Sequence, residues 1–209
     1  GMGIDTLKAT IDGGASITPV LTSIENVEVT STNNGAGLNL SASTGVTAIK
    51  VANSTGNMTL TKIGAASVEV ANQSQDVNIN GSTATALNLT FDKVGTTVGT
   101  TINTITVDLG SATANAATSF AITANNAQVK MTETTASAAT TSATIAATGK
   151  NQLTFAAADA ASLTSVSVTG AGSVDLSKVA LTAAKTLTVA DGGVSAIIFS
   201  SIYFMPWSK

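Results

Sequence analysis

Pairs of apolar residues separated by a single residue recur along most of the chain. Between residues 27 and 89 a new pair begins every nine to eleven residues, and the spacing loosens after residue 89. The residue inside each pair is polar or small, which is the alternation expected of a strand with one buried face. The pairs are Val27/Val29, Leu38/Leu40, Ile49/Val51, Met58/Leu60, Val68/Val70, Val77/Ile79, Leu87/Leu89, Ile105/Val107, Phe120/Ile122, Val129/Met131, Leu153/Phe155, Val166/Val168, Val174/Leu176 and Leu187/Val189.

The segments between the pairs contain turn-forming residues, such as NNGAG at 33–37 and NSTGN at 53–57. Alternate strands also resemble each other, since TAIKVANS at 47–54 is echoed by ASVEVANQ at 66–73. A repeat of this length is typical of a solenoid, in which each coil buries its apolar face against the next coil. We therefore predict an all-β, parallel β-solenoid (β-helix) with about 20 residues per coil over residues 1–193. The alternative is an antiparallel β-sandwich, which also has short strands at regular spacing.

The predicted core is narrow, because aromatic residues make up only 3% of the chain and small apolar residues are common. Stacked coils would align equivalent apolar residues on two facing sides. Alanine-rich stretches at 112–117 and 156–162 are short enough for a single helical turn. The residues predicted to line the core are Val27, Ile49, Val68 and Leu87 on one side, and Leu38, Met58 and Val77 on the other.

The charge content argues against several classes of function. Charged residues are 10% of the chain, all nine basic residues are lysines, and the net charge is −3. Nucleic-acid-binding domains normally show a clustered basic patch, so we expect no nucleic-acid partner. The chain has no histidine and no cysteine, the usual general base and the usual ligands of transition metals. We therefore expect no enzymatic activity and no resident cofactor. No apolar stretch reaches the length of a membrane-spanning helix.

The first thirty residues carry a recognisable motif. Residues 1–7 read GMGIDTL, in which Gly1, Gly3, Asp5 and Leu7 match the second half of the glycine- and aspartate-rich nonapeptide of secreted RTX proteins. The segment LTSIENV, at residues 21–27, then matches a Leu-Thr-x-Ile-Glu-x-Val phrase. With its Ala/Thr/Ser/Val-rich composition, the chain resembles RTX-type bacterial surface-layer proteins, in which calcium-binding repeats run into a long β-domain.

The resemblance implies a structural repeat domain of a bacterial cell-surface protein, either a surface layer or an adhesin stalk. Such a domain would be secreted and would act through self-association or contact with other surface proteins. The resemblance also implies calcium, with Asp5 and Asp12 as candidate ligands in a remnant repeat at residues 1–14. The alternative is that Asp5 caps a turn and Asp12 belongs to another turn, without binding a metal ion. Calcium would then bind to consecutive repeats of a longer parent protein.

Two further binding functions are compatible with a solenoid. A carbohydrate-binding surface would normally use exposed aromatic side chains, which are scarce before residue 199. An ice-binding surface would need Thr-x-Thr pairs repeated coil after coil, whereas other predicted outward positions hold Glu28 and Lys50. Three Thr-x-Thr pairs that fit the pattern are Thr59/Thr61, Thr104/Thr106 and Thr186/Thr188.

Residues 194–209 differ in composition from the rest of the chain, because most of the aromatic residues lie there. The segment is too short to span a membrane as a helix. We expect it to cap the end of the solenoid or to mediate assembly, since many large apolar groups in water would favour aggregation. The residues predicted to be buried in this way are Ile197, Phe199, Ile202 and Phe204. A non-native origin of the segment is the alternative.

Overall fold

The chain folds into stacked coils of short β-strands. None of the described residues lies in a helix, and every pairing within the two large sheets is parallel. The predicted all-β, parallel β-solenoid is therefore confirmed, and the parallel pairing excludes the antiparallel sandwich. The computed structural model describes residues 3–98, 101–110, 113–132, 140–155, 163–175, 186–189 and 196–198. The alanine-rich stretch at 113–117 is not helical, and the one at 156–162 lies outside the described residues.

The strands divide into two large sheets and one small sheet. The first sheet contains, in spatial order, β1 (Thr6–Ile11), β3 (Asn26–Ser31), β5 (Ala48–Ala52), β7 (Ser67–Gln73), β9 (Ala86–Val94), β13 (Ser119–Asn125), β15 (Ser142–Thr148), β17 (Ser165–Thr169) and β19 (Thr186–Val189). The second contains β2 (Ser16–Ile17), β4 (Ala36–Asn39), β6 (Met58–Gly64), β8 (Val77–Ser82), β12 (Ile105–Leu109), β14 (Gln128–Thr132), β16 (Lys150–Phe155), β18 (Ser173–Asp175) and β20 (Ala196–Ile198). The small sheet pairs β10 (Thr96–Val98) with β11 (Thr101–Asn103).

The chain alternates between the two large sheets, so that each coil contributes one strand to each. In the first sheet the shortest step joins Ile49 to Val68, and the average spacing is roughly 23 residues per coil, somewhat more than the predicted 20. The step from Leu89 to its aligned partner Ile122 is the longest among the described strands of this sheet. The antiparallel β10–β11 hairpin lies in this interval. It explains why the spacing of apolar pairs loosens after residue 89.

The core lies between the two sheets, where inward side chains stack in rows. In the first sheet Val27, Ile49 and Val68 are aligned as predicted. Leu87 lines the same side and is buried, but the partner of Val68 is Leu89, two residues further along β9. A shift of two residues keeps the same side chains facing inward. The prediction was therefore right about the side of the core and wrong about the register of Leu87.

The facing side of the core shows the same kind of difference. Leu38, Met58 and Val77 are all buried in the second sheet. Met58 is aligned with Val77 as predicted, whereas Leu38 is aligned with Leu60 and not with Met58. The partner of Met58 on β4 is Ala36. The short alanine side chain occupies an inward position that a search for large apolar pairs overlooks.

The corners at which strands of the first sheet end share one backbone conformation. Asn53, Asn72, Lys93 and Asn126 have positive φ angles of 54°, 50°, 53° and 50°. They occupy equivalent positions on successive coils, directly after β5 and β13 and one residue before the ends of β7 and β9. Asparagine tolerates this left-handed conformation better than most residues, because its short polar side chain can hydrogen-bond locally. On the next coil Gly149 takes over the position with a φ of 67°. The corners thus explain part of the asparagine content.

Candidate functional site

Four charged side chains form a row across the outer face of the first sheet. Lys8 on β1 is aligned with Glu28 on β3, which is aligned with Lys50 on β5 and then Glu69 on β7. Each lies between two inward residues, so its side chain is on the solvent side. Neighbouring strands are about 4.8 Å apart, and the sign of the charge therefore changes with every step. We call these four residues the charged row.

The charged row is held by two ion pairs between neighbouring coils. Lys8 Nζ lies 2.9 Å from Glu28 Oε2, and Lys50 Nζ donates a hydrogen bond of 2.7 Å to Glu69 Oε1. The hydrogen bond to Glu69 raises the pKa of Lys50 above its usual 10.5, outweighing partial burial, which lowers the pKa. All four side chains stay substantially exposed. Exposed ion pairs contribute about 0–1 kcal/mol each to the stability of the fold. Their main consequence is the fixed arrangement of alternating charges on this face.

A groove runs beside the charged row, along the solenoid axis. Its floor includes the shorter side chains of Thr6, Asn26, Ala48 and Ser67, which are aligned on the same four strands. The groove has a volume of about 420 Å³ and reaches Thr90 on β9. Asn26 Nδ2 donates a hydrogen bond of 3.4 Å to Thr6 Oγ1 across its floor. We call this feature the axial groove.

The outer face of the first sheet changes character after β7. The positions that continue the charged row are Thr90, Thr123, Ala146 and Thr169. This row is therefore charged on the first four strands of the sheet and uncharged on the next four.

The three Thr-x-Thr pairs named above do not stack on one another. Thr59 is aligned with Gly37 and Asn78, Thr106 with Lys130, and Thr188 with Ser167. Thr104 lies between β11 and β12 rather than in a strand. No row built from these pairs repeats threonine from coil to coil in the described strands.

Many threonines instead stabilise a corner. Thr118 Oγ1 donates to the carbonyl oxygen of Thr85 at 3.3 Å, and Thr141 Oγ1 donates to that of Thr118 at 3.3 Å. Thr164 Oγ1 continues the series with a hydrogen bond of 2.9 Å to the carbonyl oxygen of Thr141. These threonines precede aligned strands of the first sheet. Each joins one coil to the preceding one, which gives them a structural role.

The structure places the two candidate calcium ligands at opposite ends of β1. Asp5 precedes the strand, where its backbone N–H donates a hydrogen bond of 2.8 Å to Glu25 Oε2. Asp12 follows the strand, and its Oδ1 accepts a hydrogen bond of 2.6 Å from Thr32 Oγ1. The extended strand between them separates the two residues by roughly 23 Å, so a single ion cannot bind both. Calcium binding at either residue would need other ligands and stays a prediction.

The predicted C-terminal segment is described only in part. Ile197 lies in β20 and is aligned with Val174 on β18. A strand of the second sheet thus falls within residues 194–209. Phe199, Ile202 and Phe204 lie outside the described residues, and their role in capping or assembly stays a prediction.

Sequence reasoning did not identify the charged row or the axial groove. The signal was present in the similarity between residues 47–54 and 66–73, which places Lys50 and Glu69 at equivalent positions. Extending that alignment two coils toward the N-terminus, to Glu28 and Lys8, would have required the register, because the coils differ in length in this region. The row is visible only once the strands are aligned.

Comparison with known protein families, with curated proteins and with solved structures finds no match. Across the described ranges, no three histidine, cysteine, aspartate or glutamate residues come together in a group that could hold a metal ion. Within the same ranges, no helix is long and apolar enough to cross a membrane. The interpretation of function therefore depends on the solenoid and its outer faces.

Proposed function

We propose that this chain is a structural repeat domain of a bacterial cell-surface protein, of the kind found in surface layers or adhesin stalks. In this role it is secreted, has no catalytic activity, and acts through self-association or by presenting its faces to other surface proteins. The observation that carries the proposal is the unbroken core, in which two nine-stranded parallel sheets enclose one continuous set of apolar side chains.

A solenoid of this kind suits a role that depends on length. Each coil adds about 4.8 Å along the axis, so nine strands span roughly 40 Å. Coils contact only their neighbours, and the rod can be lengthened by adding coils without redesigning the core. Hydrogen bonds of the parallel ladders also run along the axis, which resists extension and bending. These properties favour a spacer or a lattice subunit.

The first described coil offers a surface for end-to-end association. β1 and β2 are the first strands of their sheets, and Ile4 and Val20 beside them are 77% and 75% exposed. A further parallel coil placed against this end would pair with both strands and cover these side chains, whether it belongs to the same polypeptide or to another. Unpaired strand edges of this type commonly mediate association.

The proposal includes calcium binding, but in other parts of a longer parent protein. A single half-motif with Asp5 and Asp12 at opposite ends of β1 supplies too few oxygen ligands for one ion, since calcium prefers six to eight. We infer that consecutive repeats elsewhere in the parent would bind the ion. This part of the proposal rests on the resemblance of residues 1–30.

Two measurements test the proposal. Antibodies against the domain should label intact source cells, and the protein should be recovered from the surface fraction. Sedimentation of the purified chain should show reversible association as its concentration is raised. Exclusive recovery from the cytoplasm would contradict the surface location. Monomeric behaviour at millimolar concentration would contradict self-association and leave only presentation to other proteins.

A further inference from the structure

The axial groove has the shape of a site for a polymer. It crosses five strands of the first sheet from Lys8 to Thr90, a distance of about 19 Å at 4.8 Å per step. It follows the solenoid axis on the outer face of the sheet, and its lining repeats with the coils. A repeating groove of this length fits an extended chain better than a compact molecule.

The groove offers side chains but no free backbone groups. The strands that form its floor are paired with each other through parallel ladders. A peptide could not add itself to these strands by main-chain hydrogen bonds, which is the usual source of affinity for an extended peptide. What remains is a set of carboxylate, ammonium, amide and hydroxyl groups. These groups suit a ligand that carries many hydroxyls.

The charged row provides hydrogen-bond donors and acceptors in alternation along the groove. Each ion pair uses one carboxylate oxygen of Glu28 or Glu69, and an ionised carboxylate can accept about four hydrogen bonds. Lys8 and Lys50 carry three N–H donors each. Opposite charges alternate, so the groove has no net attraction for a polyanion such as a nucleic acid. The combination favours a neutral or weakly charged polyhydroxylated chain.

We propose that the axial groove binds a linear glycan that lies along the solenoid axis, with sugar hydroxyls hydrogen-bonded to the charged row and to Asn26 and Ser67 on the floor. The sugar hydroxyls donate to the carboxylates and accept from the ammonium groups. None of the described residues that line the axial groove is aromatic, so hydrogen bonds rather than stacking hold each sugar unit. Each unit therefore contributes weakly, and affinity accumulates because neighbouring units are tethered to each other. This binding function is independent of the proposed structural role.

The test is a titration of the whole chain with linear oligosaccharides of two to six units, followed by NMR. The panel contains β-1,4-linked glucose and β-1,4-linked N-acetylglucosamine, and a polyuronic acid serves as the negative control. We expect at least one of the two neutral series to bind with affinity that rises at least tenfold from the disaccharide to the hexasaccharide, and to bind more tightly than the polyuronic acid. Signals of Lys50, Glu69 and Asn26 should shift.

Two variants and one control locate the site. Lys50→Ala and Glu69→Ala should each weaken hexasaccharide binding at least fivefold, while circular dichroism confirms that the coils remain folded. Lys130→Ala is the matched control, because Lys130 is an exposed lysine at an outward position of the second sheet. No binding by any series, or binding that both groove variants leave unchanged, would overturn the proposal. Tighter binding of an extended Lys/Glu peptide than of any glycan would also overturn it.

Discussion

The substitution Val68→Asp tests the core most severely. Val68 is 1% exposed and is aligned with Ile49 on one side and Leu89 on the other. Removing its buried side chain forfeits about 1.5–3 kcal/mol of hydrophobic stabilisation. Burying a carboxylate without a partner costs several kcal/mol more. The sum is about 5 kcal/mol or more, comparable with the total stability of about 5–15 kcal/mol that is usual for a domain.

Urea unfolding followed by circular dichroism measures this loss directly. Because coils interact mainly with their neighbours, the damage should be greatest at β5, β7 and β9, where hydrogen exchange should become fast. Val68→Ala is the graded control, since it removes two methyl groups and should cost about 2 kcal/mol. Glu69→Gln, one residue away on the outer face, should cost about 1 kcal/mol or less.

A free energy of unfolding of Val68→Asp within about 1 kcal/mol of the wild-type value would contradict this prediction. That result would mean that position 68 reaches water and that the core is not closed between the two sheets. Equal destabilisation by Val68→Asp and Glu69→Gln would lead to the same conclusion, because the inward and outward faces of β7 would then be equivalent.

Three further predictions concern the polar groups. Asn151 is 4% exposed; its side chain accepts a hydrogen bond from Ala127 N–H and donates to the carbonyl oxygens of Thr148 and Ser173. Asn151→Ala should therefore lower the free energy of unfolding, measured in urea, by about 2–4 kcal/mol. A loss below about 1 kcal/mol would contradict this prediction. The pKa of Lys50 is raised in the folded chain, so protonated Lys50 stabilises the fold at pH values below its usual pKa of 10.5, and this contribution is lost as the pH rises through the pKa of the folded state. Above about pH 10.5 the melting temperature of the wild type should therefore fall more steeply with pH than that of a Glu69→Gln variant. Parallel declines in the two melting temperatures would refute this. The melting temperature should be nearly the same in millimolar calcium and in chelator. A real site, with calcium at about one hundred times its Kd, would instead raise the free energy of unfolding by about 2.7 kcal/mol.

The alternation of side chains was enough to predict most of the strands. In the first sheet, β1 and β15 were the strands of five or more residues that it missed, and β15 shows why. Its inward residues are Ala143, Ile145 and Ala147, so it contains no pair of large apolar residues. The hairpin of β10 and β11 was inferred only as looser spacing, because an insertion between two coils leaves no periodic signal of its own. Alanine can fill an inward position wherever the core is narrow, and composition alone does not show where.

The outer faces were less predictable, because they depend on register. Glu28 was read as a solvent-facing residue of a single strand, and its pairing with Lys8 required knowing that the two are aligned on neighbouring coils. The apolar pattern does not distinguish this register from one shifted by two residues, because an even shift keeps the same side chains facing inward. The charged row and the axial groove are therefore properties of the stacked coils.

The most direct test of the solenoid is the pattern of cross-strand contacts in solution. Parallel coils bring the backbone of Val27 close to that of Ile49, and the backbone of Ile49 close to that of Val68. NMR on the isotope-labelled chain should show nuclear Overhauser effects between the backbone protons of these residues, with none between Val27 and Leu38, which lie in different sheets. Contacts between Val27 and Leu38 in an antiparallel pattern, without those to Ile49, would contradict the stacked-coil architecture.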